Sequence, residues 1–154
     1  MSFIDQPAAQ PSSISYINDN YLADEQALVR RLNRLFADEP ALHQRDFGSE
    51  GFEWIDCHDS SQSVLSYLRK SRDGKQVVAC AFNFTPVPRE NYRIGVPAAG
   101  SYREAVNTDA AAYGGADLRN AESVTAEPVA SHGREQSISV TLPPLATVIL
   151  EYAG

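Results

Sequence analysis

Three pairs of carboxylates and one short cluster are the residues whose types and spacing could do chemistry. Glu50 with Glu53, Asp56 with Asp59, and Glu104 with Asp109 each bring two acids close together in sequence, the raw material for acid and base work on a glycosidic bond. Geometry argues against them: residues three or five apart in an extended strand point to opposite faces, and Asp56 and Asp59 flank a turn where water solvates both. Cys57-His58-Asp59 offers a thiol, an imidazole and a carboxylate. Three adjacent residues cannot wrap a tetrahedral ion, however, and His43 and His132 are remote in sequence. No Gly-x-Ser-x-Gly elbow is present to activate a serine. We therefore expect no catalytic residue, no metal site and no cofactor.

Composition narrows the classes further. At 154 residues the chain is the size of a single domain. Its formal charge of −7 repels nucleic-acid phosphates and anionic membranes. No apolar run reaches the ~20 residues of a membrane span, and Met1 to Pro7 lacks the basic and apolar regions of a signal peptide, so the expectation is a cytoplasmic protein with no membrane or nucleic-acid partner. Two cysteines are too few for a disulfide framework, and Cys80, inside the apolar run Val77 to Phe82, reads as a small buried hydrophobe.

Three regions must position whatever the chain does. Residues 1–23, rich in Gln, Pro, Ser and Asn, read as a flexible lead-in. Residues 24–46 read as helical: Leu28, Val29, Leu32, Leu35 and Phe36 fall on one face of a 3.6-residue period from a capping Asp24, and Pro40 stops it. From residue 47 to 154 the period becomes that of a sheet, with strands expected at 52–56, 63–70, 75–84, 91–96, 101–107, 136–142 and 145–152. Asp73-Gly74 supplies the positive φ of a hairpin turn, and the two prolines of Asn83-Phe84-Thr85-Pro86-Val87-Pro88-Arg89 force the chain out of its sheet. Residues 108 to about 122, around Tyr113-Gly114-Gly115, form a long loop that packs on a neighbour or contacts a ligand. The fold class is an antiparallel β-sandwich preceded by one amphipathic helix.

Several blocks carry a family resemblance when taken in order. They are Leu32-Asn33-Arg34-Leu35-Phe36, Pro40-Ala41-Leu42-His43, Gly51 to Asp56, Ser63 to Arg69 and Asn83 to Arg89, then Tyr92 to Pro97, Tyr102-Arg103-Glu104 with Asn107 and Asp109, Tyr113-Gly114-Gly115, His132-Gly133-Arg134 and Leu142 to Thr147. From about Ala27 to Tyr152 the chain resembles the C-terminal all-β domain of bacterial 1,4-α-glucan (glycogen) branching enzymes of the α-amylase superfamily. The resemblance implies that the 24–46 helix corresponds to the last helix of a catalytic (β/α)₈ barrel and that 47–154 is the sandwich beside it. It implies a parent reaction that cuts an α-1,4-glucan and transfers the segment to a 6-hydroxyl, with retention, by two carboxyl groups. No segment resembles the motifs bearing those groups, so the chain is expected to be inactive by itself, and residues 1 to about 23 do not resemble the barrel sequence that stands there in the family.

The resemblance implies two kinds of partner. Without a barrel beside it, the helix face of Leu28, Val29, Leu32, Leu35 and Phe36, with Leu28, Leu32, Leu35 and Phe36 as the expected interface residues, needs another cover, because five buried apolar side chains contribute about 8–15 kcal/mol. It folds back on the sandwich, pairs with a second copy through residues 24–37, or docks on a catalytic barrel. The alternative is a free-standing glucan-binding module, with Trp54, Tyr92, Tyr102 and Tyr113 stacking weakly on an α-glucan and Asn107, Asp109 and Arg134 as hydrogen-bonding groups. Strand alternation places Trp54 and Tyr102 in the core instead, so the exposure of Trp54 separates the two readings.

Overall fold

The computed structural model describes residues 13–154, with side chains from Tyr21 onward. Helix α1 spans Ser13–Asp38, so it begins well before the expected Asp24, which lies inside the helix and does not cap it. The Ser13 to Ala23 part of the expected lead-in is therefore helical, and residues 1–12 lie outside the described residues. Pro40 does stop α1, and it opens a second, one-turn helix, α2 (Pro40–His43). Glu39 caps α2 by accepting the Ala41 N–H at 2.9 Å, and proline suits the first helical position because its missing N–H would have had no partner there.

Eight strands follow: β1 (Phe52–Asp59), β2 (Val64–Lys70), β3 (Val77–Asn83), β4 (Arg89–Val96), β5 (Ser101–Asn107), β6 (Ser123–Thr125), β7 (Gln136–Leu142) and β8 (Thr147–Tyr152). They form a six-stranded sheet in the order β1-β2-β3-β8-β5-β6 and a two-stranded sheet β4-β7, with antiparallel pairing throughout. The core lies between the sheets. Leu68, Ala79, Tyr102, Val148 and Leu150 come from the larger one, and Tyr92, Ile94, Val96, Ile138, Val140 and Leu142 from the smaller. Strand β3 is buried on both faces, which is why its sequence is a continuous apolar run and not an alternating one. Its other face, Val78 and Cys80, packs with Ala41 of α2, flanked by Leu42, Tyr67, Phe82 and Ile149. Arg69 holds that cover down, donating from Nη2 to the Leu42 carbonyl at 3.1 Å and to Asp46 at 2.8 Å, and from Nε to the Gly51 carbonyl at 3.2 Å.

Turn chemistry closes the strands. Gly74 has φ +71°, and its N–H donates to the Ser71 carbonyl at 3.0 Å in the β2–β3 hairpin. The double-proline turn is pinned by Asn83, whose buried amide donates to the carbonyls of Val87 at 2.8 Å and Pro143 at 3.0 Å while its oxygen accepts the Thr85 N–H at 3.0 Å. Bulges redirect side chains within the larger sheet: the register of β1 slips between Trp54 and Asp56, and that of β5 between Glu104 and Val106.

Candidate functional site

Helix α1 carries two apolar faces where one was expected. Leu35 is buried, Leu28 and Leu32 are half-buried, and Arg31 Nη2 donates to the Ala105 carbonyl at 2.9 Å. Ala105 is the extra residue of the β5 bulge. Leu22, Val29 and Phe36 are 53%, 52% and 49% exposed. They recur every seven residues, just under two turns, and so line a stripe roughly opposite the side anchored by Arg31 and Leu35. The expected interface set therefore splits: Leu35 is used inside the fold, Leu28 and Leu32 lie part-way, and Phe36 stays outside.

The loop after β5 buttresses the inner side of α1. Its 3₁₀ turn, Ala111–Tyr113, packs on the helix, and Gly114 follows at φ +78°. A Cβ on Gly114 would stand 2.5 Å from the Asp24 carboxylate, and one on Gly115 would stand 2.1 Å from the Asp109 carbonyl oxygen. Of the two roles open to it, the loop takes the first and packs on its neighbour. Glu104 and Asp109 organise it. Glu104 accepts from Arg119 Nε at 2.7 Å and Asn120 Nδ2 at 2.8 Å, and Asp109 accepts the N–H groups of Ala116 at 3.1 Å and Leu118 at 2.9 Å. Both carboxylates are engaged in holding backbone and side chains.

The other acids are equally occupied. Glu50 pairs with Arg45 at 2.7 Å, and Glu53 is gripped by Lys70 and Arg134. The Lys70 hydrogen bond, with the Arg134 charge, holds the Glu53 carboxyl below its ordinary range despite its partial burial. Asp56 accepts the His58 N–H at 2.8 Å and faces His132 at 3.5 Å. Asp59 accepts from the Tyr92 hydroxyl at 2.7 Å, Ser61 at 2.9 Å and the Gln62 N–H at 3.1 Å. Burial pushes its carboxyl up, but these donors and the Arg89 charge outweigh that and leave it lowered. Cys57 Sγ lies 3.3 Å from His58 Nδ1, both exposed. Among the described residues no group of three or more such side chains could hold a metal ion.

The four aromatics do not form one platform. Tyr102 is wholly buried, its hydroxyl donating to the Ala98 carbonyl at 3.0 Å, and Tyr92 is buried against Asp59. Neither ring has a face free for a sugar, because both fill the space between the sheets, and this corrects their place among the candidate binding residues. Tyr113 is half-buried in the turn on α1. Trp54 is 47% exposed on the outer face, edge-on to Phe52 at 4.9 Å and to Tyr67 at 6.2 Å. Ile55, on the opposite face of the strand, goes to the core, and Trp54 shares the outer face with Phe52 and Tyr67. Arg134 is engaged with Glu53 and the Trp54 carbonyl. The aromatic row continues from Tyr67 to Phe82 at 5.6 Å and on to Phe84 at 6.2 Å. Phe84, 63% exposed, was not among the sequence candidates, and its signal was an aromatic residue placed beyond the end of a strand and inside a turn.

Residues 54–153 match the family model described as the alpha amylase, C-terminal all-beta domain. Curated relatives include the 1,4-alpha-glucan branching enzyme of Aquifex aeolicus, 48% identical over 129 residues, which are 84% of this chain and 20% of that protein. The enzyme of Cupriavidus pinatubonensis is 54% identical over 128 residues, 82% of this chain and 17% of that protein. That of Rhodospirillum rubrum is 53% identical over 129 residues, 84% of this chain and 17% of that protein. Among solved structures, a trehalulose synthase mutant in complex with Tris overlays at 18% identity and TM-score 0.47, over 80% of this chain and 17% of that one. This chain spans about a fifth of the length of the curated relatives it matches. It belongs to the alpha-amylase C-terminal all-beta domain family, and it matches the C-terminal part of the branching enzymes at about 50% identity.

Proposed function

We propose that the chain serves as the C-terminal structural domain of a 1,4-α-glucan branching enzyme in glycogen synthesis in the cytoplasm, docked on a catalytic barrel through the outward stripe of α1 and inactive by itself. The observation that carries this reading is the double-faced helix. One side is tied to the β domain through Arg31 and Leu35, while Leu22, Val29 and Phe36 on the other are about half exposed. Burying three such side chains is worth about 1.5–3 kcal/mol each, so a helix of this kind is stable between two bodies and wasteful at a surface. The chemistry of segment transfer would then come from the barrel, since Glu50, Glu53, Glu104 and Asp109 are engaged in holding this chain's own loops and strands. The test mixes this chain with a branching-enzyme barrel whose own β domain has been removed. Loss of iodine-stained amylose colour should require both parts, and Val29→Glu with Phe36→Glu should abolish it. Branching by the chain alone would overturn the reading.

A second reading, a glucan-binding module, keeps one supporting observation, the half-exposed Trp54. Titration with maltoheptaose followed by Trp fluorescence tests it, and an unchanged signal would end it.

A further inference from the structure

Helix α1 has a third side, distinct from the one tied to the β domain and from the outward stripe. Ala27, Arg30, Arg31 and Arg34 follow the i, i+3, i+4, i+7 spacing of one helical face, and they line an open cleft of about 280 Å³ in which the short Ala27 leaves room among longer side chains. Two of the guanidiniums are already oriented. Arg31 Nη2 donates to the Ala105 carbonyl at 2.9 Å, and Arg30 Nε donates to the Gln26 carbonyl at 3.2 Å. Among the described residues none of the three arginines forms an ion pair with a carboxylate. Helix spacing adds repulsion: Arg34 stands four residues from Arg30 and three from Arg31, and Asp38 is the one acid at such a spacing from any of them. Three cations kept together without a carboxylate, in a chain of formal charge −7, break a local rule that a bound anion would satisfy.

The donors select the anion. A carboxylate brings two oxygens and a single charge, which one guanidinium fork already satisfies, whereas a phosphomonoester brings three oxygens and a charge of about −1.5 to −2, enough to engage three side chains at once. The cleft is too small for a length of polypeptide, and its volume lies just under the ~300–1,000 Å³ usual for small-ligand sites. A polyanion such as nucleic acid or an anionic membrane would meet the acidic remainder of the chain, while a small ligand meets the arginines alone. We infer that this face of α1 binds the phosphate group of a small phosphorylated metabolite, held by Arg30, Arg31 and Arg34. Arg34 lies well round the helix from Val29, so neither the site nor its test depends on α1 docking on a barrel.

The 154-residue chain is titrated at fixed ionic strength with inorganic phosphate, glucose 6-phosphate, glucose and acetate, and both calorimetry and the melting temperature are followed. We expect saturable binding of the two phosphates in the millimolar range or tighter, with glucose 6-phosphate at least as tight as free phosphate, and no saturation by glucose or acetate. Arg30→Gln with Arg34→Gln should weaken phosphate binding about tenfold or more. The same pair of substitutions relieves the like-charge repulsion, so without phosphate the variant should melt no lower than the parent, and it should lose the rise in melting temperature that phosphate gives the parent. Arg30 and Arg34 are exposed, so their loss leaves the fold intact, which unchanged circular dichroism verifies; Arg31 is kept for its bond to Ala105. Absence of saturation by the phosphates, an equal response to acetate, unchanged affinity in the double variant, or binding of free phosphate without glucose 6-phosphate would each overturn the assignment.

Discussion

The guanidinium of Arg31 donates to the carbonyl of Ala105 across 2.9 Å, joining α1 to the one residue of β5 that its neighbouring strand leaves unpaired. A bulge frees a carbonyl, and a charged donor from the helix satisfies it. Replacing Arg31 with Met keeps the stem's packing and removes the donor, so we expect a loss of about 1.5–3 kcal/mol, the worth of a hydrogen bond to a charged group. Urea unfolding measures the loss, and amide exchange should show α1 opening before the strands.

Gly115→Ala should be costly for a steric reason. The new Cβ would stand 2.1 Å from the Asp109 carbonyl, against backbone that cannot swing away. The loop must shift, with the 3₁₀ turn that supports α1. A loss of about 1–3 kcal/mol is expected in thermal or urea melts, on the scale of forced overpacking. A melting curve equal to the parent's would show that the loop tolerates the methyl group.

Acid should weaken the fold through Glu53 and Asp59, whose carboxyls both lie below their ordinary range in the folded chain. A lowered folded value contributes stability above the unfolded value, near pH 4, and that stability drains away as the pH falls through the folded value. Stability should therefore be level from about pH 5 upward and decline below about pH 4. Glu53→Gln should lower the neutral plateau modestly and make the acid decline shallower, which is checked by urea midpoints across the range. A decline as steep as the parent's would show that Glu53 has no part in it.

The two thiols should separate cleanly. Cys57 is exposed, while burial pushes the Cys80 thiol up to about 11. At pH 8 one thiol should react promptly with a disulfide reagent and the second only in denaturant. Prompt reaction of both would mean that the contact between α2 and the outer sheet face opens readily.

Self-association is the expected fate of the outward stripe when no barrel is present. Sedimentation should show a concentration-dependent dimer, and Val29→Glu with Phe36→Glu should restore a monomer, since each buried apolar group is worth about 1.5–3 kcal/mol. A compact monomer at high concentration would count against it.

The strands were legible because their ends are written in Gly, Pro and Asp: Asp73-Gly74 and the Asn83 to Arg89 turn lie where the chain reverses. The three-residue β6 was not, because Ser123–Thr125 is mostly exposed and has no periodicity to show. The early start of α1 was hidden by Asn18, Asp19 and Asn20, poor helix formers whose segment is helical nonetheless. Residue alternation predicted Tyr102 in the core correctly and misplaced Trp54 for a definite reason. Alternation separates Phe52 and Trp54 from Glu53 and Ile55, but both faces of the segment carry large apolar side chains, so the pattern does not say which face meets the other sheet. The Glu104–Asp109 pair could be dismissed as a catalytic pair from its spacing, but its actual work, ordering a loop through Arg119, Asn120 and two backbone amides, depends on folding.

Strand β8, the last in chain order, lies in the middle of the larger sheet, hydrogen-bonded to β3 on one side and β5 on the other. During synthesis the earlier strands must wait on the ribosome with two raw edges until Thr147–Tyr152 emerges to zip them together. Deleting Thr147–Tyr152 would therefore not weaken this fold gently; it would leave two half-sheets with nothing between them, a substrate for proteases and aggregation.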